Sequence, residues 1–121
     1  MSSDESFAKA LYFGDVSESL VFPWPEPAQA EVDVVHALTA SLRRYAAKHV
    51  DSAAIDRDEE IPTEVLRGLG ELGLFGMLVP KQYGGAGLSQ TAYARVIQEL
   101  AGIDASLGVT VGAHASLGTM G

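Results

Sequence analysis

The side chains in this sequence that could do chemistry are few and scattered. The imidazoles are His36, His49 and His114, and there is no cysteine, which removes disulfides, thiolate metal sites, iron–sulfur clusters and a thiol nucleophile. Ser-His-Asp catalysis would need a histidine beside an activated serine, and no Gly-x-Ser-x-Gly turn presents one. His36 falls within a long helical pattern and His49 at its end, where a surface or dipole role suffices. His114 sits in an apolar segment and reads as a buried, locally satisfied imidazole. Asp56-x-Asp58 invites a Ca²⁺ reading, but it lacks the central glycine and terminal glutamate of a calcium loop, so the acidic run 51–60 reads as a solvated linker. Tyr83-Gly84-Gly85-Ala86-Gly87 matches neither a dinucleotide nor a phosphate-loop fingerprint. From its residues alone the segment carries no catalytic machinery, no cofactor-binding residue and no metal ligand.

The elements that would position any site are easier to read. Residues 1–25 form an arm: Phe7, Leu11, Tyr12 and Phe13 make a short apolar turn that Gly14-Asp15 breaks. Val21-Phe22-Pro23-Trp24-Pro25 is a stiff strap, because each proline fixes its own φ and extends the residue before it. From Pro27 to about Val50, Val32, Val35, Leu38, Leu42 and Tyr45 recur at helical spacing, acidic at the start and basic at the end. Pro62 suits a first helical position, and Val65, Leu66, Leu69 and Leu72 give an amphipathic helix ending near Gly73. Gly68 and Gly70 within it suggest close approach of a neighbouring backbone. Residues 74–80 read as an apolar extended stretch and 81–87 as a flexible loop. Ser89 and Asp104 read as N-caps of two further helices, the first burying Ala92, Tyr93, Val96, Ile97 and Leu100.

The segment 105–121 contains no Asp, Glu, Lys or Arg. A helix apolar all round is normally buried on all sides, and so short a chain can hardly surround one. The expectation is a front portion of a longer polypeptide, the remainder or another subunit covering this helix. Gly108-Val109-Thr110-Val111-Gly112 is a GxxxG pattern, read here as admitting a close helix neighbour or leaving room for a ligand rather than as a membrane contact.

Composition bounds the rest. With 121 residues the chain is one domain's worth, and 47% hydrophobic against 20% charged residues is ordinary globular material. Sixteen acidic against eight basic residues, a net charge of −8, argue against a nucleic-acid surface. No stretch approaches the ~20 apolar residues of a membrane span. The acidic start lacks the character of a signal peptide, and the expected location is cytoplasmic.

The run Ile61-Pro-Thr-Glu-Val-Leu-Arg-Gly-Leu-Gly-Glu-Leu-Gly-Leu-Phe-Gly-Met-Leu-Val-Pro80, continuing through Lys81–Ser89, resembles the N-terminal helical domain of the acyl-CoA dehydrogenases. So do Tyr93–Ala101 and Asp104–Gly118, which extend the likeness over residues 61–118 almost without a gap. Ser6-Phe-Ala-Lys-Ala-Leu, Gly14, Val21–Pro25 and Gly112-Ala-His-Ala-Ser116 resemble the very-long-chain branch.

The resemblance implies an all-α N-terminal domain, about four main helices plus an extended arm, within a three-domain α+β flavoenzyme whose middle β domain and C-terminal helical domain lie outside this chain. It implies FAD bound between those other domains and a catalytic glutamate there, so Glu64, Glu71 and Glu99 read as solvated. It implies oxidation of long-chain acyl-CoA to trans-2-enoyl-CoA in fatty-acid β-oxidation, electron-transfer flavoprotein as acceptor, and a homodimer or homotetramer. The helix matching Ala105–Leu117 would line the fatty tail, with Val109, Thr110, Gly112, Ala113 and Leu117 as substrate-binding residues. Two other functions stay open: a flavin oxidase or monooxygenase on the same scaffold, and a non-catalytic helical interaction module. These residues made alone should bind no flavin, lack activity and self-associate through 105–121.

Overall fold

The computed structural model describes residues 6–24 and 26–119. Pro25 of the strap and Met120-Gly121 of the apolar segment lie outside the described residues. Among the described residues six α-helices follow in order: α1 (Phe7–Tyr12), α2 (Gln29–His49), α3 (Ser52–Asp58), α4 (Thr63–Glu71), α5 (Gln90–Ile103) and α6 (Ala105–Ala113). Among the described residues there is no strand, so the all-α reading stands.

α5 is the central element. Val96 and Leu100 on it are fully buried, between α2 on one side and α6 on the other. Each such aliphatic side chain contributes about 1.5–3 kcal/mol when removed from water. Val35 and Leu42 of α2, Val65 and Leu69 of α4, and Leu107 and Val111 of α6 complete the core with Leu74 and Met77. Thr39, buried on α2, donates its hydroxyl to Val35 O at 2.9 Å, so its burial leaves no orphan polar atom.

The helix starts are cut by side chains that sequence reasoning named. Ser89 Oγ accepts from the amide of Ala92 at 3.2 Å. Asp104 Oδ1 accepts from the amides of Ser106 and Leu107 at 2.9 and 3.1 Å. Asp104 closes α5 and opens α6, so a single residue turns the chain between them.

Three expectations need correction. The acidic run is not merely a linker, because residues 52–58 form α3: Asp51 caps it by accepting from the amide of Ala54 at 3.0 Å, and Ile55 is buried. Residues 74–80 are not extended. A 3-10 turn at Leu74–Gly76 follows Gly73, whose φ of 83° is the left-handed conformation that favours glycine. The following loop is tightly folded, with Ala86 N donating to Gly76 O at 3.0 Å and Leu88 N to Met77 O at 2.8 Å. A Cβ at Gly85 would collide with the carbonyl of Val79, so only glycine fits there.

The arm carries its large side chains outward. Tyr12, Phe13, Phe22 and Trp24 are all exposed, although Phe22 and Trp24 lie 6.5 Å apart, centroid to centroid. Among the described residues no neighbouring backbone approaches Gly68 or Gly70, contrary to expectation: Gly68 leaves room for the ring of Tyr45, whose hydroxyl reaches Glu64 O at 3.2 Å, and Gly70 has only ordinary contact with the Phe75 side chain.

Candidate acyl-binding face of α6

α6 is two-sided. Leu107, Gly108, Val111 and Ala115 point inward, and a Cβ at Gly108 would strike the Cα and Cβ of Ala101 on α5. The two helices therefore meet main chain to main chain at that point. The opposite side is open: Val109 is 70% exposed and Leu117 78%. The segment is thus not buried all round within this chain; half of its circumference has no cover among the described residues.

The five residues expected to meet substrate divide into three groups. Val109, Ala113 and Leu117 follow one another at four-residue spacing along the open side, Ala113 half-buried. Thr110 lines a neighbouring open groove of about 670 Å³ together with Ile55, Ile61 and Leu66 and the acidic Asp56, Glu59 and Glu60. Gly112 faces Tyr93, whose hydroxyl donates to Gly112 O at 3.4 Å.

The hydroxyls of the segment are turned back on its own backbone. Thr110 Oγ1 donates to Ser106 O at 2.8 Å, Ser116 Oγ to Gly112 O at 2.7 Å and Thr119 Oγ1 to Ala115 O at 2.7 Å. What these residues then offer outward is largely methyl and methylene surface. The four-residue spacing of Ser106–Thr110, Gly112–Ser116 and Ala115–Thr119 was the available signal, since a hydroxyl reaches the carbonyl one turn earlier. Ser116 and Tyr93 are the contributors that sequence reasoning did not single out.

His114 is exposed rather than buried, and its ring meets Phe75 edge-on at 5.0 Å. His49 is exposed and stacked on Tyr45 at 4.7 Å, and His36 lies at the rim of a groove between α2 and α5. The three imidazoles sit on different faces. Among the described residues no group of three or more His, Asp or Glu could hold a metal.

Glu99 is not a free solvated carboxylate. Arg43 reaches it with Nε at 2.5 Å and Nη2 at 2.8 Å, and Arg95 Nη1 lies at 3.3 Å. Arg43 above all holds the Glu99 carboxyl below its ordinary range. Its chemistry is an ion pair linking α2 to α5.

The sequence model of the acyl-CoA dehydrogenase N-terminal domain matches residues 33–121. This chain belongs to the acyl-CoA dehydrogenase family. A probable acyl-CoA dehydrogenase of Mycobacterium tuberculosis is 41% identical over 113 residues, which is 93% of this chain and 17% of the relative. The mitochondrial very long-chain specific acyl-CoA dehydrogenases of Macaca fascicularis and Homo sapiens are 36% and 34% identical over 121 residues, 99% of this chain and 18% of each relative. The chain thus spans less than a fifth of the length of these relatives. The family match starts inside α2, whereas the very-long-chain alignments take in nearly the whole chain, arm included.

The acyl-CoA dehydrogenase domain offers no cradle for a dinucleotide in its glycine loop. The amides of Gly85, Ala86, Gly87 and Leu88 donate to Pro80 O, Gly76 O, Val79 O and Met77 O, so they are unavailable to phosphate oxygens. Among the described residues no helix is long and apolar enough to cross a membrane.

Proposed function

We propose that residues 26–121 are the N-terminal helical domain of a flavin-dependent acyl-CoA dehydrogenase, preceded by the arm 1–25, and that the open side of α6 forms one wall of the cavity for a long acyl chain. The observation that carries this reading is the line Val109, Ala113 and Leu117: uncharged, exposed at both ends and half-buried at Ala113, and flanked by hydroxyls that point back into the helix. Such a face gains about 0.8 kcal/mol for each methylene it removes from water, and a charge on it would have no partner.

The family membership supports oxidation of acyl-CoA to trans-2-enoyl-CoA, with FAD as hydride acceptor held by parts of the protein outside this chain. The contribution of this chain is to bind and orient the tail and to exclude water beside it. Electron-transfer flavoprotein as acceptor and a homo-oligomeric assembly belong to the same reading.

The test is the visible spectrum of the whole gene product under anaerobic conditions, before and after a long-chain acyl-CoA. A flavin band that bleaches supports the dehydrogenase. A flavin band unmoved by any acyl-CoA points to an oxidase or monooxygenase with another substrate. Absence of flavin overturns the enzyme reading.

A further inference from the structure

α6 does not end as an α-helix. After Ala113 the chain continues through a wider π turn over His114–Gly118, closed by Thr119 N donating to His114 O at 3.1 Å. Turns of this kind inside α-helices have local causes, often a side chain inserted into the backbone ladder. One such local feature lies at Gly112, at the junction of the two registers. Its carbonyl accepts two side-chain hydroxyls, Ser116 from one turn ahead at 2.7 Å and Tyr93 from across the α5–α6 seam at 3.4 Å. An oxygen so occupied is a poorer acceptor for the amide that would continue the α register.

The wider turn changes which residues align. An α-helix advances about 100° per residue and a π turn about 80°, so over the four residues from Ala113 to Leu117 the side chain swings by about 80°. That swing brings Leu117 back into line with Val109 and sets Ala115 under Val111. The burial agrees: Ala115 is 1% exposed and Leu117 is 78% exposed.

We propose that Tyr93 is a positioning residue for acyl-chain length: by holding Gly112 O it keeps the π turn and so places Leu117 at the end of the apolar wall. This role rests on the reading of α6 as the acyl wall. Tyr93 is itself half-buried in the α5–α6 seam, so removing only the hydroxyl should leave the ring's packing in place.

The test uses the holoenzyme and a series of straight-chain acyl-CoAs. Tyr93→Phe should lower kcat/KM for the longest substrates about tenfold and leave the shorter ones within about twofold, the scale expected when a pocket loses a methylene-sized contact. Ser116→Ala, on an exposed residue, should move the profile in the same direction. A loss equal at every chain length, or no change in either variant, overturns the proposal. Leu117→Asp separates the two ideas. If it cuts activity on the long substrates while Tyr93→Phe does not, the positioning role falls and the wall stands. If Leu117→Asp leaves the profile unchanged, the wall falls and the role of Tyr93 with it.

Discussion

The carboxylate of Glu31, in the first turn of α2, holds Ser89 at two points. Oε1 accepts from the Ser89 amide at 2.6 Å and Oε2 from its hydroxyl at 2.8 Å. Ser89 meanwhile caps α5, so one acidic side chain braces the N-terminus of a helix 58 residues further along. The two bonds hold the Glu31 carboxyl below its ordinary value of 4.5, the backbone amide contributing most.

Glu31→Gln should therefore lower the thermal midpoint by a few degrees at neutral pH. The sign follows from the lowered folded-state pKa: the bracing is fully present above the unfolded value and is lost as pH falls through the folded one. Thermal melts of the two proteins should converge in acid. A gap that persists unchanged at low pH would show that the charge is not what holds Ser89.

Gly108→Ala and Gly112→Ala should differ although both lie on the same helix. At 108 the new methyl meets the backbone of Ala101, which cannot move alone, and a loss of about 1–2 kcal/mol is expected after the helix-propensity gain. At 112 the nearest atom is Tyr93 Oη at 3.6 Å, an ordinary contact, so stability should hold or rise by up to about 1 kcal/mol. Denaturant unfolding of the pair measures both.

Asp104→Ala should cost about 1 kcal/mol, the usual value for a lost N-cap. Burial raises the Asp104 pKa, but hydrogen bonds from Ser106, Ser52 and the amides of Leu107 and Ser106 outweigh it and the net shift is downward. The wild type should lose this contribution as pH falls below the ordinary carboxylate range, and the variant should lack that dependence. Urea titrations at neutral and acidic pH compare them.

Val109→Asp probes the wall without disturbing the fold. Val109 is exposed, so unfolding of the chain should change by no more than about 0.5 kcal/mol. Against a long acyl chain the carboxylate would be left dry and unpaired, at a cost of about 2–4 kcal/mol, and kcat/KM of the holoenzyme should fall on the order of 100-fold. Unchanged kinetics would remove α6 from the cavity.

The helices were legible where a cap and a repeating apolar face coincide. Ser89 before Ala92–Leu100 and Asp104 before Leu107–Val111 carry both signals. α3 was missed because its seven residues hold a single buried side chain, Ile55, and five acidic residues between 51 and 60 obscured Asp51 as a cap. Leu74–Pro80 misled for the opposite reason: a short apolar run has no periodicity to separate strand from turn. On α6 the residue types were read correctly as uncharged, but which side faces inward depends on Gly108 meeting Ala101. The role of Tyr93 depends on a seam between two helices, and no local spacing encodes that.

The main-chain contact at Gly108 has one further consequence. Because α6 is anchored through its backbone on one side, the residues on its other side are not needed to keep it in place. Positions 109, 113 and 117 can then be varied as a set, widening or narrowing the space beside them, while the scaffold beneath stays as it is. On the proposed reading of α6 as the acyl wall, chain-length preference would then be a property that evolution or a mutant library could retune one side chain at a time.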